Sequence, residues 1–284
     1  MTSFAFPLIL DRLFPAVGWR WTLRIFGLST GALSAVALLF IRPRVPLPPQ
    51  RSVLDKDDGA QDSMDEEKRR VVRLARRWRF LLDPVFLAFV PVIFVQGLHY
   101  GPYLLYLASY GLNFTTSFLA SLSLALLNAM TIVGQICTGA ACDIFPWTAV
   151  VALSSALSTV AVFALFAYVD DAARLIGFAV LMGFTAGGYS SVWYPASLDI
   201  SGGDKARSSW FFGLLAITRG ISTLVGPVIT GEMITDDTVS TWGLYGYRAV
   251  TIFTGVMGAV ALIGAGWTQL ARVYRRKKEP LVAM

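Results

Sequence analysis

The sequence predicts an all-α polytopic membrane protein of about seven transmembrane helices. Two observations carry this. Of 284 residues, 55% are hydrophobic and 15% charged, a balance outside the range of ordinary soluble domains. The apolar residues also fall into seven runs, at about 25–41, 84–108, 114–140, 147–169, 173–197, 208–233 and 247–270. Each is long enough, or nearly so, to cross the hydrocarbon core as a helix.

The elements follow in order. Residues 1–24 read as the tail of a truncated hydrophobic span, FAFPLILDRLFPAV at 4–17, and then an outer loop carrying an aromatic and basic interfacial cluster, GWRWTLR. Asp11 and Arg12 interrupt the start too early for a cleavable signal peptide. Residues 25–41 form the first span, near the lower length limit, and the prolines of RPRVPLPP oppose its continuation. Residues 42–79 form a polar central loop. Ser63 and Glu66 make a capping-box pattern ahead of Val71, Val72, Leu74, Ala75 and Trp78 interleaved with arginines. This predicts a basic amphipathic helix on the membrane surface, with Ser63 as its N-cap rather than a phosphorylation site.

Residues 80–271 hold six closely spaced spans, and 272–284 a basic tail. Asp83-Pro84 reads as an N-cap followed by proline at the first helical position. Gly183 and Gly187 form a small-xxx-small pair, read as close helix packing in preference to a hinge. Gly226-Pro227 predicts a break or kink in its helix.

Charge fixes orientation. With the 42–79 loop in the cytosol, 18 of the 24 Lys and Arg lie on that side and 5 on the other. This predicts a cytoplasmic C-terminus and explains the net charge of +6 without a nucleic-acid partner. Cys137 and Cys142 sit five apart on one helix, which makes neither a disulfide framework nor a metal site, and His99 is the single histidine. No nucleophile–His pair and no paired carboxylates lie within the spans, so neither an enzyme nor a cofactor is expected.

Two polar features inside the spans suggest a site. Ser117, Ser121, Asn128, Thr131, Gln135 and Thr138 recur at steps of three, four or seven, which puts them on one helix face. Such a stripe avoids lipid; it is either interhelical hydrogen-bond glue or the wall of a solute path. Arg219 is the single formal charge well inside a span, costing about 2.5–3.5 kcal/mol on insertion scales unless it faces the bundle interior. Its forked donors suit a carboxylate. His99, Tyr100, Tyr103 and Tyr106 crowd the end of another span as an aromatic belt, or as groups closing over the solute.

The motifs resemble the fungal branch of the monocarboxylate-porter family, within the major facilitator superfamily. GWRWTLR followed by FIRPRVP resembles the junction of the fifth and sixth helices of that family, and YLLYLASYGL the end of the seventh. LALLNAMTIVGQICTGAACD resembles the eighth helix and its loop, GGYSSVWY the tenth, and FGLLAITRGISTLVGPVITG the eleventh. The resemblance implies the sixth helix plus a C-terminal six-helix bundle, with the first five helices absent. It marks Gly139 and Asp143 as the gate motif, although the following IFPW lacks the basic residues that often complete it. Animal members carry an Asp and an Arg where Thr131 and Gln135 stand, so proton coupling through that pair is not implied here.

The expected function is transport of a small organic solute, a monocarboxylate or related organic anion, by a multi-pass protein of the plasma membrane. Arg219, Asn128, Thr131, Gln135 and Tyr103 are the candidate solute contacts. A non-transporting half-transporter or regulatory membrane protein is the alternative. A seven-helix receptor is disfavoured, since two cysteines in one span cannot join outer loops. The exposed polar stripe further predicts self-association or pairing with another transporter half.

Overall fold

The computed structural model describes residues 2–40, 83–234, 242–243 and 245–282. The expected amphipathic helix of the 42–79 loop, with Ser63 and Glu66, lies outside the described residues, which are helical with no strands. Among the described residues, seven helices are long and apolar enough to cross a membrane: Arg20–Phe40, Pro84–Gly111, Ser117–Ile144, Trp147–Tyr168, Ala172–Ile200, Arg207–Gly231 and Arg248–Arg275. The chain divides into two units, one of them Arg12–Leu82 and the other the remainder.

α1 (Thr2–Phe40) consists of two helical stretches joined at a kink at Gly18, whose φ of 73° and ψ of 162° suit a residue without a Cβ. The GWRWTLR cluster is therefore helical rather than a loop, because nothing after Gly18 interrupts the ladder before the prolines. Leu28, Leu33, Leu38, Leu39 and Phe40 are exposed along it, as a helix with lipid around it requires.

The second unit is built on α2 (Pro84–Gly111), which packs against α3 (Ser117–Ile144), α7 (Lys205–Gly231) and α8 (Arg248–Val282). α4 (Trp147–Ala164) packs on α8 and continues through a short turn at Phe166–Tyr168. The fifth span is broken. α5 (Ala172–Met182) gives way to a wide π-helical turn at Gly183–Gly187, then a tight 3-10 turn at Gly188–Val192, before α6 (Trp193–Ile200). The expected N-cap at α2 forms: Asp83 Oδ1 accepts from the backbone N–H groups of Val85 at 2.9 Å and Phe86 at 3.3 Å.

The break lies in the fifth span, whereas α7 stays helical through Gly226-Pro227. Packing accounts for the difference. Gly226 lets α7 approach α2 so closely that a Cβ there would stand 3.3 Å from Leu98 Cα, and Tyr106 Oη donates to the Pro227 carbonyl at 3.0 Å. In the fifth span, change of ladder leaves carbonyls in need of donors, and neighbouring helices supply them. Ser154 of α4 donates to Thr185 O at 2.8 Å, and Gln96 of α2 donates to Ala186 O at 3.1 Å.

The core is aromatic. Tyr103, Tyr110, Phe166 and Phe178 pack with ring centroids 4.8–5.0 Å apart, favourable edge and tilted contacts. α2 runs to Gly111, so His99, Tyr100 and Tyr103 lie within a helix and are buried. They form no interfacial belt. A charge cluster closes one end of the bundle. Arg272 Nε lies 2.7 Å from Asp199 Oδ2, and Arg275 Nη1 lies 3.3 Å from Asp83 Oδ2. Arg275 also donates to the Asp199 carbonyl at 2.7 Å, and Trp147 Nε1 donates to Asp199 Oδ2 at 3.0 Å. These ties carry α8 past residue 270, where the apolar run ends, as an unbroken helix to Val282.

Candidate solute site

Arg219 lies midway along α7 and is half-buried. Two glycines of α2 make room for it. A Cβ at Gly97 would overlap Ser222 and stand 3.5 Å from Arg219 Cδ, and one at Gly101 would stand 3.2 Å from the Thr223 carbonyl. The two helices therefore meet closely enough for the guanidinium to reach across α2.

There Arg219 Nη1 donates to Gln96 Oε1. Its Cζ lies 5.4 Å from the centroid of the Tyr100 ring, within cation–π range. Tyr100 Oη in turn hydrogen-bonds Thr131 Oγ1 on α3 at 3.0 Å. Thr131 Oγ1 donates to Leu127 O at 2.9 Å, so the Tyr100 hydroxyl is the donor of the pair. Tyr189, in the tight turn of the fifth span, is 1% exposed, and its hydroxyl has no hydrogen-bond partner among the described residues. It lies in the turn just beyond Ala186, the residue whose carbonyl Gln96 holds. Three other segments thus meet around this guanidinium: α2 directly through Gln96 and Tyr100, α3 through Thr131 on Tyr100, and the broken span through Ala186 on Gln96. Among the described residues no carboxylate pairs with Arg219; the ion pairs lie at span ends or in turns.

The α3 stripe runs beside this cluster. Thr131 joins it through Tyr100. One turn on, Gln135 is exposed; its Nε2 donates to Ser190 Oγ at 3.0 Å and its carbonyl accepts from Ser191 Oγ at 2.7 Å. Asn128 is half-buried and donates from Nδ2 to Leu124 O at 3.0 Å on its own helix. The structure does not bring Tyr103 to this face. It is 2% exposed in the aromatic core, with its hydroxyl on Thr254 Oγ1 at 2.6 Å. Gly139 and Asp143 lie toward the far end of α3; Asp143 is exposed and forms no ion pair among the described residues.

Sequence reasoning missed Gln96 and Tyr189, and read Tyr100 as part of an aromatic belt or as one of the groups closing over the solute. Gln96 carried a signal, since a lone carboxamide inside a span marks a pathway or a partner. Tyr189 carried none, because one tyrosine in a span reads as packing until the turn that presents it is known.

No metal-binding cluster of three or more His, Cys, Asp or Glu side chains forms among the described residues. The site's donors are a guanidinium, hydroxyls and carboxamides, suited to an organic solute with acceptor oxygens.

No protein-family model matches the chain. Individual proteins do. It is 34% identical over 142 residues, 49% of its length and 41% of the relative's, to the MFS-type transporter pytF of Aspergillus terreus. It is 27% identical over 267 residues to the aspyridones efflux protein apdF of Emericella nidulans, covering 92% of this chain and 48% of that protein. It is 27% identical over 279 residues to the MFS-type transporter hasB of Aspergillus fumigatus, covering 95% and 57%. The chain spans about half the length of the curated relatives it matches. With its seven candidate spans it is an all-helical polytopic membrane protein whose homologues are fungal transporters of the major facilitator type.

Proposed function

We propose that this chain serves in the transport of a small organic solute carrying an anionic group, a monocarboxylate or related organic anion, as part of a major-facilitator secondary transporter. The observation that carries this is Arg219: a guanidinium held by Gln96 and Tyr100, with Thr131 behind Tyr100 and the fifth-span turn behind Gln96, and paired with no carboxylate among the described residues. A charge held among neutral groups is costly in the membrane, and a solute carboxylate offsets that cost with two charge-assisted hydrogen bonds. The broken span beside it is the kind of element that secondary transporters place at their solute sites.

In this reading Arg219 anchors the anion, while Thr131, Gln135 and Asn128 line the path along α3. Tyr103 supports the site from the core, by holding α2 against α8. Gly139 and Asp143 belong to the gate at the end of α3. The excess of Lys and Arg on one side of the spans supports a cytoplasmic C-terminus, and the plasma membrane is the site of action in this reading. One relative is an aspyridones efflux protein, which favours export as the direction. Gln135, exposed on α3, favours self-association or pairing with another transporter half. None of the arrangement calls for a cofactor or an enzymatic step.

The test is binding by the full chain in lipid nanodiscs, with benzoate as probe and benzamide as its uncharged match. Benzoate is expected to bind at least about tenfold tighter than benzamide, the worth of one charge-assisted hydrogen bond. Arg219→Gln is expected to erase the preference. Arg219→Lys should keep part of it, because a point charge cannot reproduce the fork. Equal affinity for the two probes in the unaltered chain overturns the reading.

A further inference from the structure

We propose that Gln96 is an internal competitor for the solute: its carboxamide oxygen occupies the place on the Arg219 guanidinium that the solute's carboxylate oxygen takes on binding. This rests on the reading of Arg219 as the anion anchor.

The geometry has three parts. Arg219 Nη1 donates to Gln96 Oε1, so this acceptor lies where an anion would have to sit to use the same N–H. A neutral amide oxygen is a weaker acceptor for a guanidinium than a carboxylate. It lowers the cost of the buried cation, and an anion can still replace it. The other end of the same side chain is tied down, with Nε2 donating to Ala186 O at 3.1 Å on the wide turn of the fifth span. Gln96 can therefore give up Arg219 and remain attached to that turn.

Tyr189 supplies the third part. Tyr189 is 1% exposed, its buried hydroxyl has no partner among the described residues, and it sits in the tight turn that begins two residues after Ala186. A carboxylate that displaces Gln96 Oε1 finds in Tyr189 a donor for its second oxygen, which the single carboxamide oxygen does not engage. The exchange thus replaces one neutral acceptor by an ion that uses both donors. Because Gln96 and Tyr189 both attach to the 183–192 turns, the exchange also changes how that broken segment is held. Gln96 is a positioning residue in this scheme, acting through Arg219.

The experiment measures benzoate affinity for the full chain in nanodiscs by calorimetry. Gln96→Leu removes the competitor and is expected to tighten binding about tenfold, again the worth of one hydrogen bond to a charged group. Gln96→Glu places a carboxylate on the guanidinium and is expected to weaken binding at least about tenfold. Opposite signs are the signature: a structural role, or direct contact of Gln96 with the solute, weakens binding in both. Where the leucine variant fails to fold, Gln96→Met, similar in length and unbranched, gives the same reading. Unchanged or weaker binding with Gln96→Leu or Gln96→Met overturns the inference. If Arg219→Gln abolishes benzoate binding in that case, the anchor stands and only the competitor fails. Binding that is indifferent to Arg219→Gln, or absent from every variant, sinks both.

Discussion

Gly183 of the fifth span lies directly against the backbone of Leu127 on α3: a Cβ added at Gly183 would stand 2.3 Å from the Leu127 carbonyl oxygen. The same pair of segments repeats the contact. A Cβ at Gly134 would stand 2.2 Å from Phe184 O, and one at Gly187 2.2 Å from Thr131 Oγ1. Gly183 and Gly187 are thus the small-xxx-small pair that the sequence marks for close packing. Their close approach sets the depth at which Thr131 reaches Tyr100 and Gln135 reaches Ser190. Gly183→Ala should destabilise the protein by about 1–3 kcal/mol, the usual cost of overpacking. Gly177→Ala, where nothing lies within 4 Å of the added Cβ, should not. Thermal unfolding of both variants in the same detergent checks this.

The charge cluster makes a second prediction. Asp199 holds Arg272 and Trp147 through its carboxylate, and its side chain is only 20% exposed. Asp199→Asn leaves the Arg272 guanidinium, 14% exposed, without its carboxylate. The expected loss is about 1–3 kcal/mol, less than for a fully buried pair because water still reaches the group. A lower unfolding temperature, with faster proteolysis after residue 270, is the measurement. Asp143→Asn, at an exposed residue without an ion pair among those described, should leave both unchanged.

Tyr103→Phe separates core from solute path. The hydroxyl is hydrogen-bonded to Thr254 Oγ1, which also donates to Val250 O at 2.7 Å. Its removal leaves no orphaned partner, so the expected cost is about 0.5–1.5 kcal/mol of stability. Benzoate affinity should not change. A loss of binding with unaltered stability would move Tyr103 back to the solute path.

On α3, Gln135→Leu removes an interhelical hydrogen bond to Ser190, a contact worth about 0.6 kcal/mol in membrane proteins. The variant should therefore accumulate normally. So should Asn128→Leu, whose amide bonds only its own helix among the described residues. Both should lower benzoate affinity if the stripe lines the path. Reduced expression with unchanged affinity would instead make the stripe glue.

The membrane character, the number of spans, the N-cap at Asp83 and the close-packing glycines were legible in the sequence. Each depends on residues near one another along the chain: a run of apolar side chains, Asp before Pro, glycines four apart. The lone arginine was legible for the same reason, as a charge in an apolar run. The location of the helix break was not. Gly226-Pro227 is the stronger local signal, yet α7 packs on α2 through Gly226 and stays helical without the Pro227 donor, while the fifth span changes ladder at Gly183–Val192, where Ser154 and Gln96 cap the freed carbonyls.

That this protein crosses the membrane several times, and that Arg219 avoids lipid, follow from residue order alone, because both depend on the transfer cost of residues into hydrocarbon. What Arg219 faces depends on helix packing. Gln96 and Tyr100 reach it from α2, across as many as 123 residues of chain, with Thr131 joined through Tyr100 and the fifth-span turn through Gln96. Packing also moved Tyr103 into the aromatic core and drew Arg272 and Arg275 onto Asp199 and Asp83. A polar residue's partner depends on which helices touch and how closely, and that depends on glycine-to-backbone contacts between distant segments, which no local pattern encodes.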